Sequence, residues 1–256
     1  MAIAIIGDVH GCLVELEDLL EKIDSSLSEG LHGLEEIIFV GDLLDKGPQS
    51  VEVLRYVKNL SDRVKVSIVE GNHENRNFRF WDKVEAGYLV KAMETRGSEE
   101  LMEIMGSADR ELRLWLRNKT VPYILKPELG VSILHGGVTP SIEGLPEDPS
   151  SLRGRNKKRV LRTMYIRYVT PKGGMVPFNQ EGPEDSYWAD IYKGRFGHII
   201  FGHQAWIQDK PKCFPHATGI DLGCVYGGYL CALIMKEGDT KIVTVEAREK
   251  YWQDLK

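Results

Sequence analysis

Short runs of apolar, mostly β-branched residues recur along the chain, and each run ends at a glycine or a polar residue. Continuous runs of this length are typical of strands buried on both faces. Five of them predict strands at Ala2–Ile6, Ile37–Val40, Val66–Val69, Val131–Leu134 and Ile199–Phe201. Later runs between glycine-rich turns predict three more at Thr218–Leu222, Tyr229–Met235 and Lys241–Glu246.

Segments with helical spacing separate the first three predicted strands. Leu13–Ile23 and Val51–Leu60 each place their apolar residues on one face, which predicts amphipathic helices. Strand–helix–strand–helix–strand order implies right-handed crossovers and a parallel sheet in this part. Residues 75–119 have a helical pattern, in which Ser98 and Asp109 precede acidic residues and are predicted N-caps.

Together these elements predict an α/β fold of two packed β-sheets with outer helices. We expect residues 1–256 to form one domain that contains the helical layer at 75–119, because strand signals resume at Val131. The chain has 42% hydrophobic and 28% charged residues, which is typical of a globular protein. No apolar run reaches the roughly 18 residues that a membrane span needs.

Charge and cysteine content narrow the expected partners and location. A net charge of −5 argues against general affinity for nucleic acid or anionic membranes, so we expect no stable partner of either kind. The four cysteines form no CxxC pair, and the N-terminus has an apolar strand pattern without a basic leader. We therefore expect a cytoplasmic protein with reduced thiols.

Polar side chains follow five of the predicted strands at the point where each strand ends. In open α/β sheets the ligand crevice lies beyond the carboxyl ends of the strands, so these side chains are expected at a common rim. They are Asp8, His10, Asp42, Asn72, His135 and His203.

This mixture of carboxylate, amide and imidazole groups indicates a two-metal site. It suits Mn, Fe or Zn better than Ca²⁺, which prefers oxygen ligands alone. The turns contain no cysteine except Cys12, just beyond the first, which disfavours a closed structural zinc site. A pair of such cations can generate a nucleophile from water and neutralise phosphate oxygens, which predicts hydrolytic phosphate chemistry.

The motifs GDVHG, GDLLDKG, GNHE and GHQ, together with His135, resemble those of the calcineurin-like metallophosphoesterases. Within them, the chain is similar to the phosphoprotein-phosphatase-type branch, and GIDLGCVYGG at 219–228 resembles the terminal signature of its bacterial members. The resemblance spans Ile3 to Met235. It implies a four-layer αββα sandwich with two mixed sheets, and two divalent metal ions: Mn first, with Fe, Zn, Co or Mg as alternatives.

The resemblance also implies a role for each motif residue. One metal would be held by Asp8 and His10 and the second by Asn72, His135 and His203, with Asp42 bridging the two. A hydroxide between the metals would attack the phosphate directly. His73 would then act as the general acid that protonates the leaving oxygen, with Asp45 fixing its tautomer.

Basic residues suggest where the substrate phosphate binds. Lys46 stands where the family usually has arginine, so it keeps the charge but loses the planar fork. The segment 151–195 is expected on the substrate side, and its stretch from 153 to 167 is rich in Lys and Arg. Arg162 is the first candidate to grip phosphate and Arg167 the second, whereas the other cations resemble a solvated helix face.

The resemblance leaves several functions open. We expect a serine/threonine-type protein phosphatase acting on a phosphorylated protein or peptide, because symmetric diadenosine-tetraphosphate hydrolases usually have Asp in place of Glu74. The alternative is a bis(5'-nucleosyl)-tetraphosphatase acting on a nucleotide polyphosphate, or a nucleic-acid-end phosphatase. The basic stretch and the nearby aromatic residues Tyr165, Tyr168, Tyr187 and Trp188 favour that alternative. A non-catalytic scaffold is disfavoured because His73 is intact.

Overall fold

Residues 2–253 are described by a computed structural model, and their strands form two large sheets and one two-stranded pair. In chain order the strands are β1 (Ala2–Ile6), β2 (Leu34–Phe39), β3 (Val66–Val69), β4 (Thr120–Val121), β5 (Ile124–Lys126), β6 (Val131–Ile133), β7 (Tyr168–Val169), β8 (Ser186–Tyr187), β9 (His198–Phe201), β10 (Lys212–Phe214), β11 (Ala217–Gly219), β12 (Tyr229–Lys236) and β13 (Asp239–Glu246). The helices are α1 (Leu13–Ser26), α2 (Ser50–Leu60), α3 (Asn72–Glu85), α4 (Leu89–Met93), α5 (Ser98–Ser107), α6 (Arg110–Lys119), α7 (Gly154–Val160) and α8 (Trp188–Ile191).

Both large sheets are mixed. The first has the order β13-β12-β1-β2-β3-β4. In it β1 to β4 run parallel to one another, and β12 is antiparallel to both of its neighbours, β1 and β13. The second has the order β10-β11-β9-β6-β5, with a parallel centre and antiparallel edges. Because β1 pairs with β12, the first sheet joins early and late parts of the chain, and we propose on this ground that the chain forms one domain.

The alternation of side chains along β1 shows how the layers form. Ile3 and Ile5 point between the two sheets, where they join a buried cluster with residues such as Ile38 and Ile200. The intervening residues face the other side and pack with helices α1 to α6. A strand that is apolar at every position is thus buried on both faces, as its continuous pattern predicted.

The outer face of the second sheet has a thinner cover. Phe201 of β9 packs edge-on against Trp188 of α8, with ring centroids 4.8 Å apart, and Ile199 joins the same cluster. The cover consists of the short helices α7 and α8 with intervening loops. The predicted class, two packed mixed sheets flanked by helices, is confirmed, and no described helix is long and apolar enough to cross a membrane.

The eight strands predicted from the sequence are present within a few residues of their expected bounds. The strands that were not predicted are two or three residues long, too short to produce a pattern. The helical segment is confirmed as α3 to α6, and Asp109 caps α6 by accepting a hydrogen bond from the Leu112 amide at 2.8 Å. The prediction for Ser98 is wrong. Gly97, with φ of 68°, precedes α5, and the Ser98 hydroxyl bonds to the Met93 carbonyl.

The layer between the sheets provides a test of the packing. We expect Ile38→Ala to lower the free energy of unfolding by about 2–5 kcal/mol, because the side chain is fully buried and leaves a cavity. Chemical denaturation measures the change. Ile242→Ala is the control, since that side chain is 49% exposed and its loss should cost less than about 0.5 kcal/mol. Equal losses at both positions would contradict the assigned layers.

Candidate metal centre

Five loops converge at one edge of the two sheets. Three of them follow the parallel strands β1, β2 and β3 of the first sheet, and two follow β6 and β9 of the second. The two sets are joined directly, because the Gly202 amide donates a hydrogen bond to the His135 carbonyl at 2.9 Å. The structure therefore brings together the six predicted ligand residues: Asp8, His10, Asp42, Asn72, His135 and His203.

The backbone at this edge is held in an uncommon conformation. Five of the six non-glycine residues with positive φ in residues 2–253 lie here, with φ between 45° and 72°: His10, Asp42, Asp45, Lys46 and His203. Such conformations are unfavourable for residues with a Cβ and persist only when the surrounding structure enforces them. The concentration of strain at one rim indicates that these side chains are aimed for function.

Asp42 lies at the centre of the cluster. Its Oδ2 is 3.6 Å from His10 Nε2 and 3.3 Å from His135 Nε2. Two groups of potential metal ligands share this carboxylate: Asp42 with His10 and His73, and Asp42 with His135 and His203. Within each group the ligand atoms lie within 4.8 Å of one another. Asn72 joins the second group, since its Oδ1 lies 3.1 Å from His135 Nε2.

The orientations of two histidines are fixed from behind. Nδ1 of His10 lies 2.9 Å from the Leu44 carbonyl, and Nδ1 of His135 lies 2.9 Å from the Val40 carbonyl. A carbonyl can only accept, so each Nδ1 carries a hydrogen and each Nε2 faces Asp42, where it can hold either a proton or a metal ion. Lone pairs facing a carboxylate repel it unless a cation or proton lies between them, which suits a metal site.

Two buried atoms support the same interpretation. Asp8 Oδ1 and His203 Nε2 are buried and have no hydrogen-bond partner among the described residues. Buried polar atoms are normally satisfied, so exceptions call for an explanation such as a bound ion. The other oxygen of Asp8 accepts a hydrogen bond from the His203 amide at 3.0 Å, and Gly202 is required beside it because a Cβ there would collide with Asp8 Oδ1. The donor set therefore fits divalent cations.

Electrostatics at Asp42 and His135 favour a positive charge beside the carboxylate. Burial acts to raise the pKa of Asp42, but His135, His73 and His10 outweigh it and hold that pKa well below its ordinary value. Burial likewise acts to lower the pKa of His135, yet the Asp42 carboxylate raises it to about 9. Asp42 thus stays ionised and stabilises a cation beside it, and a metal ion could take the place of the imidazolium proton.

His73 has a different environment from the other histidines. Its Nδ1 lies 2.7 Å from Asp45 Oδ2, and its Nε2 is the ring nitrogen nearer Asp42, at 3.9 Å. Asp45 is fully buried and also accepts hydrogen bonds from Arg76 at 3.2 Å and Asn77 at 2.9 Å. The carboxylate therefore fixes the His73 tautomer and leaves Nε2 available for proton transfer.

Glu74 holds together two of the loops that carry the predicted ligands. Its buried carboxylate accepts hydrogen bonds from the amides of Asp42 and Leu43, both at 2.7 Å, and from the Gly71 amide at 3.0 Å. Burial, with Asp42 nearby, raises the pKa of Glu74 to about 7. Three amide donors aimed at one carboxylate tie the loop after β2 to the start of α3, so Glu74 has a structural part in the site.

Lys46 lies within the centre. Its ammonium nitrogen is 2.9 Å from His10 Nε2 and 5.2 Å from the centroid of the Tyr226 ring. Burial acts to lower the pKa of Lys46, but Tyr226, Asp42 and Asp221 raise it above its ordinary value. The side chain is therefore charged and lies beside one of the predicted metal ligands.

The two predicted phosphate-binding arginines are placed differently. Arg167 reaches the cluster, where its guanidinium donates to the His203 carbonyl at 2.9 Å and to Gln204 Oε1 at 3.1 Å. Arg162, the first candidate, is exposed and lines neither cavity beside the cluster. It precedes a short 3-10 turn at Thr163–Tyr165, and the next basic residue after this turn, Arg167, is the one that reaches inward.

Two cavities meet at the cluster and share Tyr165. The first, of about 270 Å³, is lined by His203, Lys46, Arg167 and the exposed Phe178, among others. The second, of about 470 Å³, begins at Asn72 and runs between α3 and α4. Of the aromatic residues noted in the sequence, Tyr165 and Tyr168 line the first cavity. Trp188 and Tyr187 instead belong to the core cluster behind the second sheet.

Several residues of this region were not predicted as site residues. Asp221 and Tyr226 line the first cavity and come from the loop before β12. Asp221 lies inside the run Thr218–Leu222 that the sequence predicts as a strand, so no strand-end signal identified it. Arg76 and Asn77 carry no such signal, because their contacts to Asp45 arise only when α3 packs beside the loop after β2.

Comparison with known proteins agrees with this geometry. A bis(5'-nucleosyl)-tetraphosphatase PrpE (asymmetrical) from Oceanobacillus iheyensis is 31% identical over 98% of this chain and 94% of its own length. A symmetrical bis(5'-nucleosyl)-tetraphosphatase from Pseudomonas entomophila is 26% identical over 93% of this chain and 92% of its own length. The crystal structure of a protein proposed to be a diadenosine tetraphosphatase superposes with a TM-score of 0.69, at 26% identity, covering 96% of this chain and 93% of that one.

The family model for calcineurin-like phosphoesterases matches residues 1–212, which include all the strand-end residues described above. Members of this family are metal-dependent hydrolases of phosphate esters, in line with the clustered carboxylate and imidazole groups. The chain therefore belongs to the calcineurin-like phosphoesterase family.

Proposed function

We propose that this protein hydrolyses dinucleoside polyphosphates such as diadenosine tetraphosphate. The relatives that match along almost the whole chain carry this activity in their names. The observation that carries the proposal is the position of the cluster between two cavities that share Tyr165. A dinucleoside polyphosphate has a nucleotide on each side of the reacting phosphate, so its two halves match the two cavities.

The residue that favoured a protein phosphatase does not face the substrate. Glu74 is fully buried and its carboxylate is bonded to backbone amides of two loops. Asp or Glu at this position therefore changes how the loops are supported, and it carries no information on what binds above them. We accordingly prefer the nucleotide polyphosphate to a phosphorylated protein as the substrate.

Within this proposal the six strand-end residues hold two divalent cations. Asp42 serves both, Asp8 and His10 hold one, and the other is held by Asn72, His135 and His203. Mn²⁺ is our first choice, and Fe, Zn, Co and Mg suit the same donors. When bound, the cations supply an activated water and withdraw charge from the phosphate oxygens.

The remaining side chains position the substrate and handle the proton. Arg167 and Lys46 line the first cavity beside His203, where two positive charges can orient phosphate oxygens. His73 Nε2 donates a proton to the departing oxygen, while Asp45 holds the ring and stabilises the imidazolium before transfer. A departing phosphate is a weaker base than an alkoxide, so the dinucleotide makes a smaller demand on this proton.

A substrate panel tests the proposal. With the same Mn²⁺-loaded protein, we expect diadenosine tetraphosphate to have a higher kcat/KM than a serine or threonine phosphopeptide, 4-nitrophenyl phosphate or an RNA 3'-phosphate. Only the dinucleotide occupies both cavities, so only it gains binding energy on both sides. Product release is followed by chromatography. A phosphopeptide turned over faster than the dinucleotide would reverse the assignment in favour of a protein phosphatase.

Replacing the proposed proton donor should affect poor leaving groups most. We expect His73→Ala to lower kcat on phenyl phosphate by ~10²–10⁴, and to lower it less on 4-nitrophenyl phosphate, whose leaving group needs little protonation. Steady-state kinetics and elemental analysis of the same samples are the measurements. Equal losses on both esters at unchanged metal content would show that His73 does not act as the acid, and loss of bound metal would instead make His73 a ligand.

Removing the shared carboxylate charge should empty both metal positions. We expect Asp42→Asn to retain less than half of the bound metal after dialysis, because Asp42 belongs to both groups of donors. Elemental analysis of the purified protein measures the content. Asp62→Asn, an exposed acid in the turn after α2, is the matched control and should keep the wild-type content. Two metal ions retained in Asp42→Asn would remove its bridging role.

A further inference from the structure

The second of the two cavities is a basic groove that leads away from the cluster along α3 and α4. Four cationic side chains line it, with Glu94 as its one acidic residue: Arg76, Arg79, Lys83 and Lys91. Asn72 lines the same groove and lies 3.1 Å from His135, so one end of the groove opens at the proposed metal centre. In a protein with net charge −5, this local excess of positive charge calls for a function.

The four cationic side chains differ in their contacts with the rest of the protein. Arg76 is bound to Asp45 at 3.2 Å and lies 3.8 Å from Glu100, so it is committed to the fold. Lys83 donates to the Thr95 hydroxyl at 3.1 Å. Arg79 and Lys91, by contrast, are both exposed along the groove. These two charges are therefore the ones available to an anionic ligand.

The groove lies on the side of the proton donor. His73 stands between Asn72 and Arg76 on the first turns of α3, and both of these neighbours line the groove. Arg76 and His73 also contact the same oxygen of Asp45. A general acid must face the departing oxygen, and His73 is adjacent on α3 to two residues of the groove, so the groove is a candidate to receive the part of the substrate that leaves.

We infer that the groove, through Arg79 and Lys91, binds the phosphate chain of the departing nucleotide. This inference rests on the proposed function for the identity of the substrate, and the groove itself would take any short polyphosphate. Arg79 follows Asn72 on the same helix by seven residues, about 10 Å along the helix axis, which several linked phosphates can span and a single phosphate at the metal centre cannot. Discrimination by chain length is the expected consequence.

The other basic surface of the chain is a poorer candidate. Arg159 of α7 is paired with Glu143 at 2.6 Å, and Arg153 donates to nearby backbone carbonyls. Neither residue lines a cavity that opens at the cluster. The exposed Arg155 and Lys158 on the same helix are therefore matched controls, because their removal changes net charge equally and leaves the groove intact.

Binding of inorganic tripolyphosphate and orthophosphate to the Mn²⁺-loaded protein tests the inference. Calorimetric titrations are made with free Mn²⁺ held constant in excess. For Arg79→Gln with Lys91→Gln, we expect the Kd of tripolyphosphate to rise about tenfold, and that of orthophosphate to change less than about twofold. Arg155→Gln with Lys158→Gln should leave both constants within about twofold. Equal weakening in both double variants, or of both ligands, would overturn the groove assignment.

Turnover adds a second readout on the same proteins. The groove variant should raise KM for diadenosine tetraphosphate and leave KM for 4-nitrophenyl phosphate unchanged, because nitrophenol has no phosphate chain. An unchanged KM for the dinucleotide would contradict a role on the leaving side. If the wild-type protein does not hydrolyse the dinucleotide at all, the proposed function fails, while the tripolyphosphate titration still decides whether the groove binds phosphate chains.

Discussion

The cluster of predicted metal ligands depends on one carboxylate that faces several imidazoles across the junction of the two sheets. Asp42 follows β2 of the first sheet, and His135 follows β6 of the second, 3.3 Å away. Neither sheet alone holds the full set of donors. The packing of Ile3, Ile5 and Ile38 between the sheets therefore sets the separation of the donors, and hydrophobic burial far from the cluster determines its geometry.

The main strands and most of the residues at the site could be predicted from the sequence, because strand ends have a local signature. A continuous apolar run identifies a strand buried on both faces, and the residue after it must lie at the rim of the sheet. Asp8, Asp42 and His203 were found in this way, and the structure brings them together. The strained φ values at these positions could not be predicted, since they result from amide contacts such as those of Glu74.

The sequence was least informative where side-chain direction decides the outcome. Arg162 and Arg167 lie in the same basic stretch, on either side of a 3-10 turn, and only Arg167 points inward. Composition shows that a segment is basic, but it does not show which side chain reaches a cavity. The groove along α3 and α4 is similar, because Arg79 and Lys91 are twelve positions apart and share a surface only through the packing of two helices.

Substrate choice in such a fold is decided beside the metal centre. The cluster needs only a phosphate and a leaving oxygen, so it serves esters and anhydrides alike. What differs is the surface on either side of the cluster. One cavity has Arg167, whose Cζ lies 5.2 Å from the centroid of the exposed Phe178 ring, and the other has the basic side chains of α3 and α4. In the proposed function, a phosphopeptide leaves one of these surfaces unused, whereas a molecule with two nucleotides joined by phosphates contacts both. The pairing of the two cavities, more than the shared motifs, therefore favours the dinucleotide.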